Sequence, residues 1–122
     1  MAAVARSLSA AEVERFDHLP QEVLHRARLH RVRWLASGAH GMTLGRHVLL
    51  VRGHEDSAPL VAHELVHVRQ YGESGFLRFL ARYLSDYARN LVRLRNHREA
   101  YLAIPAEVEA RAEAGRWKAK HP

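Results

Sequence analysis

The stretch His63-Glu64-Leu65-Val66-His67 leaves this chain the least conformational freedom. On an α-helix two imidazoles at this spacing share a face about one turn apart, close enough to converge on one ion. Glu64 then points at the same cleft, so the pattern asks for one ion held by two histidines with a carboxylate beside it. Leu65 and Val66 are apolar and turn the other side of the helix toward a core. The ten histidines of the chain raise the chance rate of such a pattern, so its context has to carry the case. That context is favourable: Ser57-Ala58-Pro59 starts a helix with Ser57 as N-cap, and Tyr71-Gly72 is expected to stop it. A strand is predicted just upstream, over Met42 to Val51, with Gly45 marking a turn or bulge within it.

The rest of the chain reads around that centre. Ser9 with Glu12 fits a capping box, and Pro20 sits at the first turn of a short helix, Gln21 to Ala27. Loose alternation from Leu29 to Trp34 predicts a strand, and Ser37 to Gly41 a loop. After Ser74, the positions Phe76, Leu80, Tyr83, Leu84, Tyr87, Leu91 and Leu94 mark the apolar face of a long helix, with Arg78, Arg82, Arg89 and Arg93 on the other side. Asn96 to Ile104 is read as a break. Pro105 then opens a last helix, expected to end at Gly115. The expectation is one α+β domain over residues 1–122: an N-terminal helical segment 1–28, a core 29–114 and a tail 115–122.

Composition removes several alternatives. The chain has no cysteine, which excludes disulfides, iron–sulfur clusters, a cysteine nucleophile and thiolate zinc sites, so any metal must be held by His and carboxylates. No apolar run is long enough to span a bilayer, and Met1 to Ala10 lacks the apolar stretch of a secretory leader, so the cytoplasm is the expected compartment.

A catalytic zinc site needs a third protein ligand and an open position. A glycine three residues and a histidine six residues beyond His67 would extend the motif, but Gln70 and Glu73 stand there. Glu107 and Glu109 open the last helix, and at two residues apart they point in different directions, so only one can ligate. Glu107 is favoured over Glu109, with Glu73 and His97 as further candidates.

Thr43-Leu44-Gly45-Arg46, the run His63 to Gln70, Phe79 to Leu84, Ala100-Tyr101 and Ile104 to Arg111 together resemble a family of small bacterial gluzincin-like proteins. That family includes the metallopeptidase-like domain associated with extracellular contractile injection systems and is similar in scale to the minigluzincins. The resemblance covers roughly residues 29 to 112. It implies a minimal zincin-like fold: a small twisted sheet, a helix carrying His63, Glu64 and His67, and a later helix supplying Glu107. It further implies that the strand from His47 to Arg52 rims the cleft, where an extended peptide could pair with it. The family often has Asp or Asn four residues beyond the ligand Glu; this chain has Arg111.

The function expected is that of a zinc-dependent (Zn2+) metallopeptidase acting on a peptide or protein. Metal ligands are His63, His67 and Glu107, Glu64 is the general base, and Tyr101 or His97 is the oxyanion donor. A non-catalytic or latent zinc-binding module is the alternative, in which the basic helix 74–95 meets an anionic membrane or a protein partner, or His121 in the tail fills the open coordination position. The net charge of +6 permits nucleic-acid binding, but the aromatic side chains of that helix lie opposite its arginines, so no nucleic acid is expected. A monomer is expected, and in so small a domain the apolar face of the long helix is expected to be used up in the core.

Overall fold

The computed structural model describes residues 5–122; residues 1–4, part of the stretch read as lacking a secretory leader, lie outside the described residues. The order of elements is α1 (Ala10–Arg15), α2 (Gln21–Arg26), β1 (Arg28–Val32), a 3-10 turn (Ala36–Gly38), β2 (Gly41–Leu44), β3 (His47–Val51), α3 (Ala58–Ser74), α4 (Phe76–Leu94), α5 (His97–Leu102) and α6 (Pro105–Lys120). This is an α+β architecture with a small mixed sheet, consistent with a small zincin-like fold. No helix among the described residues is long and apolar enough to cross a membrane.

The sheet runs in the order β1-β3-β2, with β1 parallel to β3 and β2 antiparallel to it. The stretch Met42 to Val51 is therefore a hairpin rather than one strand. Gly45 adopts φ 65° in the two-residue turn, a conformation that side chains with a Cβ rarely adopt, and a Cβ there would also press on the Phe76 ring at 3.2 Å. β3 is the central strand, paired on both sides, so the stretch expected to rim the cleft has no free edge. The edge that lies beside α3 belongs to β2 instead.

α3 is buried on most of its circumference: Val61, Ala62, Leu65, Val66 and Val68 are at most 3% exposed. They pack with Val48 and Leu50 of the sheet, Leu24 and Ala27 from the N-terminal segment, and Ala110, Ala114 and Trp117 of α6. The helix passes through Gly72 and ends at Gly75, where φ is 88°. Gly72 gives room for the Arg26 guanidinium, whose nitrogens would lie 3.2 and 3.3 Å from a Cβ at that position. Gly115 likewise lies inside a helix. α6 continues to Lys120 because Trp117, 3% exposed, packs on Phe16 and donates its indole N–H to the Arg15 carbonyl at 2.8 Å. Burying that ring outweighs a mid-helix glycine, which costs about 1 kcal/mol.

The stretch Asn96 to Ile104 also differs from expectation. Asn96 accepts the Glu99 backbone N–H at 2.9 Å and caps the short helix α5. In α4 only Phe79 and Asn90 are buried, so the core takes a narrow strip of this helix; of the expected apolar face Leu80, Tyr83, Tyr87 and Leu94 are half-buried and Phe76, Leu84 and Leu91 stand exposed.

At the N-terminus the capping box forms as expected: Ser9 Oγ accepts from the Glu12 N–H at 3.1 Å and Glu12 Oε1 accepts from the Ser9 N–H at 2.8 Å. Arg6 adds a two-pronged pair to the same carboxylate, at 2.7 and 3.0 Å, while its backbone bridges β1 at Leu29. The Arg6 hydrogen bond outweighs desolvation and holds the Glu12 carboxyl at about 2. A carboxyl depressed in the folded state gives stability that is complete above its unfolded value of 4.5 and fades as the pH falls toward 2. The difference in thermal midpoint between wild type and Glu12→Gln should therefore be full at about pH 6 and shrink steadily toward pH 2, followed by circular dichroism; a gap independent of pH would contradict it.

Candidate metal centre

The centre is assembled where α6 crosses α3. The i, i+4 spacing of α3 stacks His63 and His67, with ring centroids 5.1 Å apart, and the first turn of α6 lays Glu107 against both. Glu107 Oε1 is 3.0 Å from His63 Nε2, and Oε2 is 3.1 Å from His67 Nε2. One ligand atom from each residue lies within 4.8 Å of the other two, so the three could together hold a metal ion. His67 and Glu107 are buried, and His63 is partly open.

The hydrogen bonds around His67 determine which of its atoms is free. Gln70 Nε2 donates to the Ala106 carbonyl at 3.1 Å and to Glu109 Oε1 at 2.7 Å, which fixes the orientation of its amide. Gln70 Oε1, 2.7 Å from His67 Nδ1, must then accept, so Nδ1 carries the proton. That leaves a lone pair on Nε2, a buried atom without hydrogen-bond geometry to any partner, facing the Glu107 carboxylate. Lone pairs of this kind repel unless a cation or a proton lies among them, and a divalent ion fits the donor set of two imidazoles and one carboxylate. Burial works against charging His67, yet Glu107 outweighs it and raises its pKa. Burial likewise opposes ionisation of Glu107, but the neighbouring His63 and His67 hold it well below the usual carboxylate range.

Glu64, 5% exposed, lies on the sheet side of the cluster. The Thr43 hydroxyl sits 2.9 Å from Glu64 Oε1 and 3.1 Å from its backbone carbonyl. Gly41 lets β2 come this close, since a Cβ there would meet Glu64 Cγ at 3.2 Å and Oε2 at 3.3 Å. Burial pushes the Glu64 carboxyl up. On the opposite side the Tyr83 hydroxyl of α4 donates to Glu107 Oε2 at 2.6 Å; burial, then the charge of Glu107, keeps it protonated. Tyr101 of α5, 37% exposed, is held protonated by burial and by the nearby Glu107 and Glu64.

The other candidates lie elsewhere. Glu109 is engaged by Arg69 at 2.6 Å and by Gln70, so it stands behind the centre. Glu73 pairs with Arg69 at 3.5 Å and is largely exposed. His97 pairs with the Tyr87 hydroxyl at 2.7 Å, and Arg111 donates to the Leu102 carbonyl, both on the surface. His121 stacks on Trp117 and reaches Asp17 at 3.1 Å, which overturns the reading of the tail as a plug for the centre. Gln70, Tyr83, Thr43 and Gly41 are contributors that sequence reasoning missed. Only Gln70, on the ligand face of α3 one turn past His67, left a spacing signal that could have pointed to it.

The family model described as the eCIS core domain matches residues 5–75, and the chain belongs to this family. The match runs from the N-terminal segment through α3, including His63, Glu64 and His67, and agrees with the metallopeptidase-like resemblance read from the sequence. Glu107 and Tyr83 lie beyond it. No curated protein and no solved structure matches the chain.

Three substitutions separate the roles of the glutamates and of Gln70. Glu107→Ala should abolish stoichiometric Zn2+ binding while Glu109→Ala retains it. Gln70→Leu should weaken affinity about 10- to 100-fold, measured by competition with a chromophoric chelator, because His67 loses the group that fixes its tautomer. Equal losses for Glu107→Ala and Glu109→Ala would rule out Glu107 as the third ligand.

Proposed function

We propose that the chain is a zinc-dependent metallopeptidase that hydrolyses peptide bonds. The observation that carries this reading is the free, buried Nε2 lone pair of His67 facing Glu107, with Glu64 on the neighbouring wall of the same cluster. The class of metal follows from the donors, since nitrogen and carboxylate ligands in a small cluster suit zinc. When bound, zinc supplies a Lewis acid that polarises a carbonyl and brings the pKa of water toward neutrality.

The side chains of the protein do the rest. Glu64 takes the proton from the attacking water and returns it to the leaving amine, and Thr43 holds its carboxylate in place. Gln70 and Tyr83 orient the ligands. Tyr101, kept protonated beside the cluster, donates a hydrogen bond to the oxygen on which negative charge develops. A substrate in extended form pairs with β2: the bond from Val51 N–H to the His40 carbonyl sets the alternation of the ladder, which turns the backbone groups of Gly41 and Thr43 outward. We place this enzyme in the cytoplasm as a monomer, in keeping with a chain that has no cysteine.

The test is hydrolysis of a quenched fluorescent peptide library alongside metal analysis. Wild type should cleave. Glu64→Gln should keep one equivalent of zinc and lose at least about 100-fold in kcat, the scale of general-base catalysis. Zinc in both proteins with cleavage by neither would leave a metal-binding module without peptidase activity and refute the enzyme reading.

A further inference from the structure

α4 has three faces, and the core and the metal centre use only one. Phe79, Asn90 and Tyr83 turn inward. A second sector, about a third of the circumference, carries Leu77, Leu84, Leu91 and Val92 with Ala81 and Ala88 between them. Leu77 is 78% exposed, Leu84 54% and Val92 79%. Counting Phe76 and Leu91, α4 holds five of the nine large hydrophobic side chains that stand exposed among the described residues. The third sector carries Arg78, Arg82, Arg89 and Arg93. With Asp86 as its one acidic residue, α4 has a net charge of +3, half of the +6 of the whole chain.

We infer that α4 lies along the surface of an anionic lipid bilayer, with its leucine and valine face in the acyl boundary and its arginines on the headgroup phosphates. The apolar face is a convex ridge about 28 Å long, the length of this 19-residue helix, and not a groove. A partner helix would call for charged residues directly beside the leucine seam, where they set pairing, but those places hold Ala81 and Ala88. The arginines stand one step further round, where long side chains reach back to a phosphate plane. A bilayer complements both features together, since it offers apolar depth under the ridge and negative charge along its flank. A second copy of the chain could match the ridge with its own leucines but would set arginine against arginine along the flank.

Flotation of the full-length protein with lipid vesicles tests this. The protein should rise with vesicles of phosphatidylcholine and phosphatidylglycerol at 3:1 and remain behind with phosphatidylcholine alone. Leu77→Ser, Leu84→Ser and Val92→Ser together, which leave the charge unchanged, should cut partitioning at least about tenfold. Arg78→Gln and Arg89→Gln should each weaken it about fivefold. If the triple variant does not keep the wild-type circular dichroism, Val92→Ser alone carries the same test with an effect of about threefold. Absence of flotation with the anionic vesicles would overturn the inference. Serine variants that bind as well as wild type would reduce the effect to diffuse charge, and a concentration-dependent dimer broken by Leu84→Ser in sedimentation velocity would assign the face to a second copy; either result overturns it. The readout is independent of zinc and of peptide cleavage.

Discussion

Two imidazole nitrogens and a carboxylate brought within 4.8 Å of one another form an arrangement that a protein interior sustains only with positive charge among them. Much of the molecule can be understood as what keeps those groups there. α3 is gripped by the sheet on one side and α6 on the other, through Leu65, Val66, Ala110 and Ala114. Arg69 ties the two helices together outside the apolar contact, reaching Glu113 and Glu109 at 2.6 Å each. That clamp sets the height at which Glu107 meets His63 and His67. Proton affinity records the same stress, since His67 is drawn upward by Glu107 while Glu107 is drawn down by both histidines.

The sequence told most about local order and least about who packs on whom. The capping box at Ser9, the start of α3 after Ser57 and the start of α6 at Pro105 were readable because caps and proline act within a few residues. The helix ends were harder. Gly72 and Gly115 look like stops but lie inside helices: Gly72 makes room for Arg26, and Trp117 carries α6 past Gly115 by packing on the N-terminal segment, both contacts remote in the chain. The split of Met42 to Val51 into a hairpin was half visible in Gly45, whereas the strand order that leaves β2 at the edge is a long-range property without a local signature. At the centre, the His63–His67 pair was explicit in its spacing. Gln70 and Tyr83 were not, because an amide and a phenol acquire meaning only from the ring and the carboxylate they touch.

α4 shows how one helix serves unrelated demands. A periodicity of three and four suggested one apolar face bound for the core. In the structure the inward strip is narrow and partly polar, with Tyr83 and Asn90 on it, and Leu77, Leu84 and Leu91 stand outside. The inner strip is occupied with Glu107, and the outer ridge and its arginines face solvent. The eCIS core domain match ends at residue 75, just before this helix, so the part of the chain that supplies Glu107, Tyr83 and the basic ridge is a part on which that family model is silent.

The proposed peptidase depends on a divalent ion held by His63, His67 and Glu107. X-ray absorption at the zinc K-edge of the zinc-loaded protein reads that directly. Two imidazole nitrogens at about 2.0–2.1 Å and carboxylate or water oxygens at about 2.0–2.2 Å, in a four- to five-coordinate shell, are predicted. A shell of six oxygens without imidazole scattering, or a protein that takes up no zinc, would contradict it.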